Sequence, residues 1–487
     1  MEPSLISPIN PDTIAAISTP PGVGGIAVIR VSGPEAINVV SKIWKGRNLE
    51  KMAPNSVAFG KILADDGQPL DEVLISLFHN PASFTGEDTV EISCHGSNWI
   101  QREILHRLVD AGARPAEPGE FTRRAFLNGK IDLAQAEGIA DLISASSRNA
   151  HRQAMLQTSG VFSARLDSLR QRLIEFASLL ELEIDFSEEE VEFADRLKLV
   201  DLCMEILHEV GRLADSYSRG KAFKEGIPVV IAGQPNAGKS TLLNLLLQDD
   251  KAIVSNIPGT TRDIIEDTVE IQGTLYRFID TAGLRFTDDT IEQLGIDRAI
   301  QRLKRAAVVI WLIDLSAPLS PQIDLICEQS SHLSSEHSPI FLLNKTDLVS
   351  PDTLTIARQS IAESLINPSI QDNHTPDIIP SYADSIIPFC ADSGQGEQEL
   401  INRLTAVTTS GRETESQILI TNARHYAALT AARTLLERIP DQLESDLSAD
   451  FIAQDLREVL HHLGQITGAI TTPDLLASIF TRFCIGK

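Results

Sequence analysis

Gly233-Gln234-Pro235-Asn236-Ala237-Gly238-Lys239-Ser240 fits the pattern G-x-x-x-x-G-K-[ST]. It follows the apolar run Ile227-Pro228-Val229-Val230-Ile231-Ala232 and precedes a helical pattern, Thr241-Leu242-Leu243-Asn244-Leu245-Leu246-Leu247. A strand, a glycine loop and a helix in that order make a phosphate loop. The glycines let backbone N–H groups close on phosphate oxygens. The helix N-terminus adds partial positive charge. Lys239 reaches the outer phosphates, and the Ser240 hydroxyl ligates Mg²⁺.

Outward from this loop, residues 222–410 alternate apolar strands with helical segments, the pattern of a doubly wound sheet. Strands are expected near Val229–Ile231, Val269–Ile271, Tyr276–Ile279, Ala307–Ile313 and Ile340–Leu343. Three further elements follow in the order a GTPase needs. Pro258-Gly259-Thr260-Thr261-Arg262-Asp263 lies between the phosphate loop and the second strand, with Thr261 placed to complete Mg²⁺ coordination. Asp280-Thr281-Ala282-Gly283 ends a strand; its Asp holds Mg²⁺ through water and Gly283 presents an N–H to a γ-phosphate. Asn344-Lys345-Thr346-Asp347 ends the strand Ile340–Leu343. The Asp347 carboxylate accepts the N1–H and N2–H of guanine, a donor pair that adenine lacks. Asn344 braces that loop, and the Lys345 stem covers the base. Phe389-Cys390-Ala391-Asp392-Ser393-Gly394 stands where many GTPases carry Ser-Ala-Lys. Its backbone can cap guanine O6, but Cys390 and Asp392 depart from the usual pair.

Hydrolysis needs a group other than the usual one. Ras-type enzymes orient the attacking water with a glutamine after the DTAG glycine. That position is Leu284, which cannot do so. Asp288, Asp289 and Glu292 lie downstream. Asn236 offers an amide oxygen beside the phosphates, where a monovalent cation can act in place of an arginine finger; Arg262 and Arg285 compete for that role.

The chain has 487 residues and a net charge of −25. That length implies two to four domains, and that charge argues against broad nucleic-acid binding. Cys94, Cys203, Cys327, Cys390 and Cys484 are scattered, with no C-x-x-C spacing, so neither a disulfide framework nor a zinc ribbon is expected and a reducing compartment, the cytoplasm, fits best. No run reaches the length of a membrane span, and Met1 to Pro11 lack signal-peptide character. Residues 12–117 read as α+β, with strands at Ile14–Ile17, Ile26–Val31, Asp71–Phe78 and Thr89–Ser93 and a helix from Trp99 to Asp110. Residues from Glu120 to Lys221 read as helical, with the acidic run Asp185–Glu190 between two helices; 367–385 read as a surface insertion. Residues 416–487 are helical again and too few to bury a core alone, so they are expected to pack on 120–221.

The pattern resembles the MnmE (TrmE) family, GTPases of tRNA wobble-uridine modification, over about residues 12–487. Four signatures outside the nucleotide motifs carry the resemblance: Thr19-Pro20-Pro21-Gly22-Val23-Gly24-Gly25 with Arg30; Phe84-Thr85-Gly86-Glu87-Asp88 with Glu91 and His95-Gly96; Pro118-Gly119-Glu120-Phe121 with Arg124-Ala125-Phe126-Leu127-Asn128-Gly129-Lys130; and Phe483-Cys484-Ile485-Gly486-Lys487. The resemblance implies a multidomain α+β and α/β protein. An α+β folate-binding and dimerisation domain would occupy 1–119. A discontinuous helical domain would occupy 120–221 and 411–487, and a Ras-like P-loop GTPase domain would be inserted at 222–410.

It further implies a 5-formyl- or methylene-tetrahydrofolate held by Arg30, Glu91, Lys130 and Lys487. GTP would be held by Asn236 to Thr241, including Ala237 and Gly238, and by Ser255, Asn256, Ile257, Pro258, Gly259, Thr260 and Thr261. Asp280, Thr281, Ala282, Gly283, Asn344, Lys345, Thr346, Asp347, Cys390, Ala391 and Asp392 complete that set. Ser240 and Thr261 would hold Mg²⁺. K⁺ would be held by Asn236, Ser255, Ile257 and Thr260, with Glu292 positioning water indirectly. Cys484 would act near the one-carbon unit. The implied partners are a second copy of the chain, the flavoprotein MnmG (GidA) in a heterotetramer, and tRNA, with no membrane. The amine donor, glycine or ammonium, stays open. A ribosome-assembly GTPase would share the nucleotide motifs but normally adds a basic RNA-binding module. A septin- or dynamin-like assembly GTPase would call for a basic amphipathic stretch or a lipidation signal, and the chain has neither.

Overall fold

The computed structural model describes residues 12–185, 196–248, 267–279, 301, 303–330, 333, 337–366, 385–408, 418–444, 449–481, 483 and 486. The chain separates into two compact units. One comprises Met1–Ile143, Ala154–Ala214 and Arg424–Lys487; the other comprises Ser144–Gln153 and Asp215–Ala423.

The first unit contains a seven-stranded sheet. Its strands are β1 (Ile14–Ile17), β2 (Gly24–Ser32), β3 (Trp44–Lys45), β4 (Ser56–Leu63), β5 (Pro69–Phe78), β6 (Thr89–Gly96) and β7 (Arg114–Pro115). They lie in the order β3-β4-β5-β6-β2-β1-β7, and only β1 and β7 pair in parallel. Alternation sends Ile29, Val31, Ile75, Leu77, Val90 and Ile92 to one face, under helices Ala36–Ile43 and Asn98–Asp110. Arg30 and Glu91 fall on the opposite face, directly paired across β2 and β6. Strand β4 and helix Ala36–Ile43 are additions to the sequence expectation. The buried positions of β4 include the small Ala58 and Gly60, which mute its alternation. Gly60 is required there because a Cβ would come within 2.4 Å of the Trp44 ring.

In the same unit, helix Ala449–Thr467 packs along Val161–Asp185. Leu166, Leu169, Leu173 and Leu180 on one, and Ile452, Leu456, Val459 and Leu463 on the other, are buried at helical spacing. Leu476, Ile479 and Phe480 share a cluster with Leu133 and Ala136. A buried charge cluster joins distant segments. Glu137 accepts bonds from Arg424 at 3.0 and 2.7 Å and lies 2.6 Å from His425 Nε2. Burial pushes the Glu137 carboxyl up, but the His425 and Arg424 charges outweigh it and hold the group down to about 2.

The second unit is a six-stranded sheet: β8 (Ile227–Ala232), β9 (Asp267–Ile271), β10 (Thr274–Phe278), β11 (Val308–Asp314), β12 (Ser338–Asn344) and β13 (Ile386–Pro388). The order is β13-β12-β11-β8-β10-β9, parallel except for the β9–β10 hairpin. Helices Lys239–Gln248 and Glu397–Thr408 cover one face through Leu242, Leu246, Leu400 and Leu404. Helices Leu319–Ser330 and Pro351–Ile366 cover the other through Ile326, Ala357 and Ile361. Every residue of β11 is therefore buried. Strand order reverses at β8, whose carboxyl end opens into the phosphate loop, the usual place for a ligand crevice. Residues 144–153, read from sequence as part of the helical region, cluster here because the hairpin supplies their partners. Asn149 N donates to Gly273 O at 3.0 Å, Arg148 N to Glu270 Oε1 at 3.0 Å, and Asn149 Nδ2 to Thr274 Oγ1 at 3.0 Å. Among the described residues, no helix is long and apolar enough to cross a membrane.

Glu137→Gln is expected to destabilise the first unit by about 3 kcal/mol at neutral pH, because it removes the countercharge of a buried histidine and a half-buried arginine. A carboxyl held near 2, against its ordinary 4.5, contributes stability above 4.5 that is lost as pH falls toward 2. Calorimetric melts of wild type and variant should therefore differ most at neutral pH and converge across that acid window.

Candidate functional site

The nucleotide motifs meet at the carboxyl ends of β8, β11 and β12. In the phosphate loop, Gly233 accommodates the Leu312 carbonyl, which would lie 2.4 Å from a Cβ. Asn236 adopts φ 64°, a left-handed conformation that asparagine tolerates better than most residues. Ala237 is buried, and Lys239 opens the helix Lys239–Gln248. The Lys239 ammonium donates to the carbonyls of Gly233 at 2.9 Å and Gln234 at 2.7 Å. Burial pushes it below the ordinary lysine range, so an anion placed beside it would be favoured. Ser240 and Thr241 occupy the first helical turn.

The Asn344 side chain connects three loops. Its Nδ2 donates to Ala237 O at 2.7 Å, and its Oδ1 accepts from Ala391 N at 3.0 Å. The residue is 2% exposed. Lys345 has φ 65° and donates to Asp314 Oδ2 at 2.6 Å. Burial raises the Asp314 carboxyl, and the Lys345 charge and the Ser316 donors more than reverse this. Asp314 thus holds the lysine whose stem is expected to cover the base. The sequence reading did not single out Asp314; the signal was an acid ending an otherwise apolar strand. Thr346 fixes the next turn through its N and Oγ1, both to Phe389 O. Asp347 projects from a short 3₁₀ turn and is exposed. Cys390 is buried, and its thiol donates to Asp347 Oδ1 at 3.1 Å. Asp392 is exposed. The structure thus brings together Asn236 to Thr241, Asn344 to Asp347 and Cys390 to Ala391. Ser255, Asn256, Ile257, Pro258, Gly259, Thr260, Thr261, Asp280, Thr281, Ala282, Gly283, Leu284 and Glu292 lie outside the described residues, as do Arg262, Arg285, Asp288 and Asp289.

A second group of predicted residues gathers on the open face of the first sheet. Arg30 donates from Nε at 2.9 Å and Nη2 at 2.8 Å, both to Glu91 Oε1. Its guanidinium lies over the rings of Phe84 at 5.1 Å and Phe121 at 5.6 Å. Lys130 donates to Pro81 O at 2.9 Å, and its stem passes over Gly86, where a Cβ would sit 3.1 Å away. Arg124, 3% exposed, pins this loop: it bonds Asp12, Glu120 and Glu87. Burial lowers the Arg124 guanidinium, but Glu87, Glu120 and Asp12 outweigh that and raise it. The sequence shows Arg124 and Glu87 only as motif letters; their pairing needs the fold. Ser18 Oγ donates to Gly486 O at 3.0 Å, which seats the last signature beside the first. Gly119 backs onto Phe480 and Phe483. Cys484 and Lys487 lie outside the described residues. Burial pushes the Cys94 and Cys203 thiols up to about 11 and about 12, so neither is poised as a nucleophile. No cluster of three or more metal-ligating His, Cys, Asp or Glu occurs among the described residues.

A family model described as the GTP-binding protein TrmE N-terminus matches residues 13–130, and one described as the MnmE helical domain matches 133–484. The "tRNA modification GTPase MnmE" of Bacteroides fragilis is 46% identical over 483 residues, covering 98% of this chain and 100% of that protein. The proteins of that description from Parabacteroides distasonis and Christiangramia forsetii are 46% and 43% identical, over 480 and 486 residues. Each alignment covers 98% of this chain, and 100% and 99% of the respective relative. The chain belongs to the MnmE (TrmE) family of tRNA modification GTPases.

Proposed function

We propose that this chain hydrolyses GTP, stimulated by K⁺, to drive a folate-dependent modification of tRNA. In this reading a one-carbon unit from 5-formyl- or methylene-tetrahydrofolate and an amine, glycine or ammonium, build an aminomethyl-type group. It is carried to C5 of the wobble uridine together with the flavoprotein MnmG, in an assembly of two copies of each chain. The observation that carries the reading is the Asn344 bridge, which sets the phosphate loop and the guanine-selecting Asp347 around one crevice.

Each residue then has a task. Lys239, with two of its N–H groups on loop carbonyls, reaches an outer phosphate oxygen with the third. Ser240 and Thr261 hold Mg²⁺, and Asp280 holds it through water. Asn236, Ser255, Ile257 and Thr260 hold K⁺ beside the phosphates, and Glu292 positions water in the absence of a glutamine at Leu284. Mg²⁺ and K⁺ supply positive charge where negative charge develops on the transferred phosphoryl group. Bound K⁺ would let two nucleotide domains meet across their switch regions, so activation would come from dimerisation. On the first sheet, Glu91, which Arg30 engages through Oε1, would accept from the donor edge of the pterin. Lys130 and Lys487 take the glutamate tail. Cys484 lies near the one-carbon unit. The domain division at 119, 221 and 410 is part of the same reading.

Asp347→Asn is expected to lower kcat/KM for GTP by at least about 100-fold and to admit xanthosine triphosphate, because the guanine donors would face a donor. Steady-state turnover with both nucleotides checks this, and an unchanged preference for GTP would remove the guanine assignment. Turnover in KCl should exceed that in NaCl by about 10-fold or more; equal rates would end the K⁺ reading. Glu91→Gln should weaken 5-formyl-tetrahydrofolate binding on the order of 10-fold in calorimetric titration while leaving GTP turnover unchanged. Nucleoside analysis of tRNA from cells carrying that variant should show the modification reduced.

A further inference from the structure

Asp347 is an exposed carboxylate on a short 3₁₀ turn, yet it must present two oxygens in one orientation to guanine. The side-chain hydrogen bond that orients it comes from an unexpected residue. Cys390 Sγ lies 3.1 Å from Asp347 Oδ1. A carboxylate only accepts, so the thiol donates. We propose that Cys390 is a positioning residue for base recognition, its S–H fixing the rotation of the Asp347 carboxylate in the crevice. The inference rests on the guanine reading of Asp347 given above.

Several features hold the sulfur in place. Cys390 N donates to Gln395 O and Gly394 N to Cys390 O, each at 3.0 Å, closing a tight loop on itself. Gly394 and Gly396 take left-handed φ values of 74° and 89°, and Gly396 leaves no room for a Cβ, which would lie 2.3 Å from Pro388 O. Ala391 N is tied to Asn344 Oδ1, and Thr346 to Phe389 O. The loop before and after Cys390 is therefore bonded to the loop that carries Asp347. With 3% exposure, the thiol itself has little access to water as an alternative partner. Because the bond goes to Oδ1, Oδ2 and the remaining lone pair of Oδ1 are left for the two guanine donors. A base lacking the 2-amino group would use only one of these, so the orientation set by Cys390 bears on the discrimination between guanine and hypoxanthine.

The test is calorimetric binding of GDP, IDP and XDP to the full chain as wild type, Cys390→Ser, Cys390→Ala, Cys390→Val and Asp347→Asn. Serine keeps a donor and should hold the GDP Kd within about threefold of wild type. Alanine removes the donor, and valine removes it while filling the space. Both should weaken GDP on the order of 10-fold and narrow the preference for GDP over IDP. Two donor-less variants guard against either one failing to fold. Wild-type GDP affinity and an unaltered GDP-to-IDP ratio in whichever of them folds would overturn the proposal. So would equal losses in the serine and donor-less variants, which would assign the effect to the size of sulfur. Asp347→Asn separates the two levels. A switch to XDP upholds the guanine reading whatever the cysteine variants do, and no switch removes that reading itself.

Discussion

The nucleotide crevice depends on one buried amide. Asn344 joins the phosphate loop to the 389–391 loop through a single side chain, donating to one and accepting from the other. An uncharged amide does both at once, from two separate atoms. Aspartate would set a carboxylate against the Ala237 carbonyl, and leucine would leave a buried carbonyl and a buried N–H without partners. The constraint runs the other way too. A Cβ at Gly238 would stand 2.4 Å from Asn344 Nδ2. The last glycine of the phosphate loop and the asparagine that ends β12 therefore require each other, 106 positions apart in sequence.

The first unit follows a related logic with charges. Arg124 sits inside a cage of Asp12, Glu87 and Glu120, and Ser32 bonds both Thr85 and Glu87. Such a cluster contributes little net stability over a well-packed apolar one, but removing any member leaves an uncompensated charge. Its effect is to fix the 84–88 loop against the open face of the sheet. Phe84 is thereby brought over Arg30, whose guanidinium also contacts the Phe121 ring and bonds one carboxylate oxygen.

Much of this was legible in the sequence for identifiable reasons. Val308–Ile313 is apolar throughout because helices cover both faces, so it reads as a strand of a doubly wound sheet. The phosphate loop and Asn344–Asp347 are local motifs whose chemistry is written in consecutive residues. What could not be read was cross-chain pairing. Arg30 and Glu91 each look like ligand-binding charges in isolation, and only the β2–β6 register makes them partners. Cys390 looked like a departure from a motif. Its compensating bond to Asp347 is set by two loops 43 residues apart. The segment 144–153 reads as part of the helical region, and backbone donors with no local acceptor attach it to the β9–β10 hairpin.

The Lys239 ammonium, bonded to Gly233 and Gln234, has a wider meaning. The loop holds its own lysine: two carbonyl dipoles accept two of the ammonium's three N–H groups. Ordering the side chain therefore adds little to the entropic penalty of association. The charge is delivered by a group whose direction the loop has already chosen, and one N–H is left for an acceptor of higher charge.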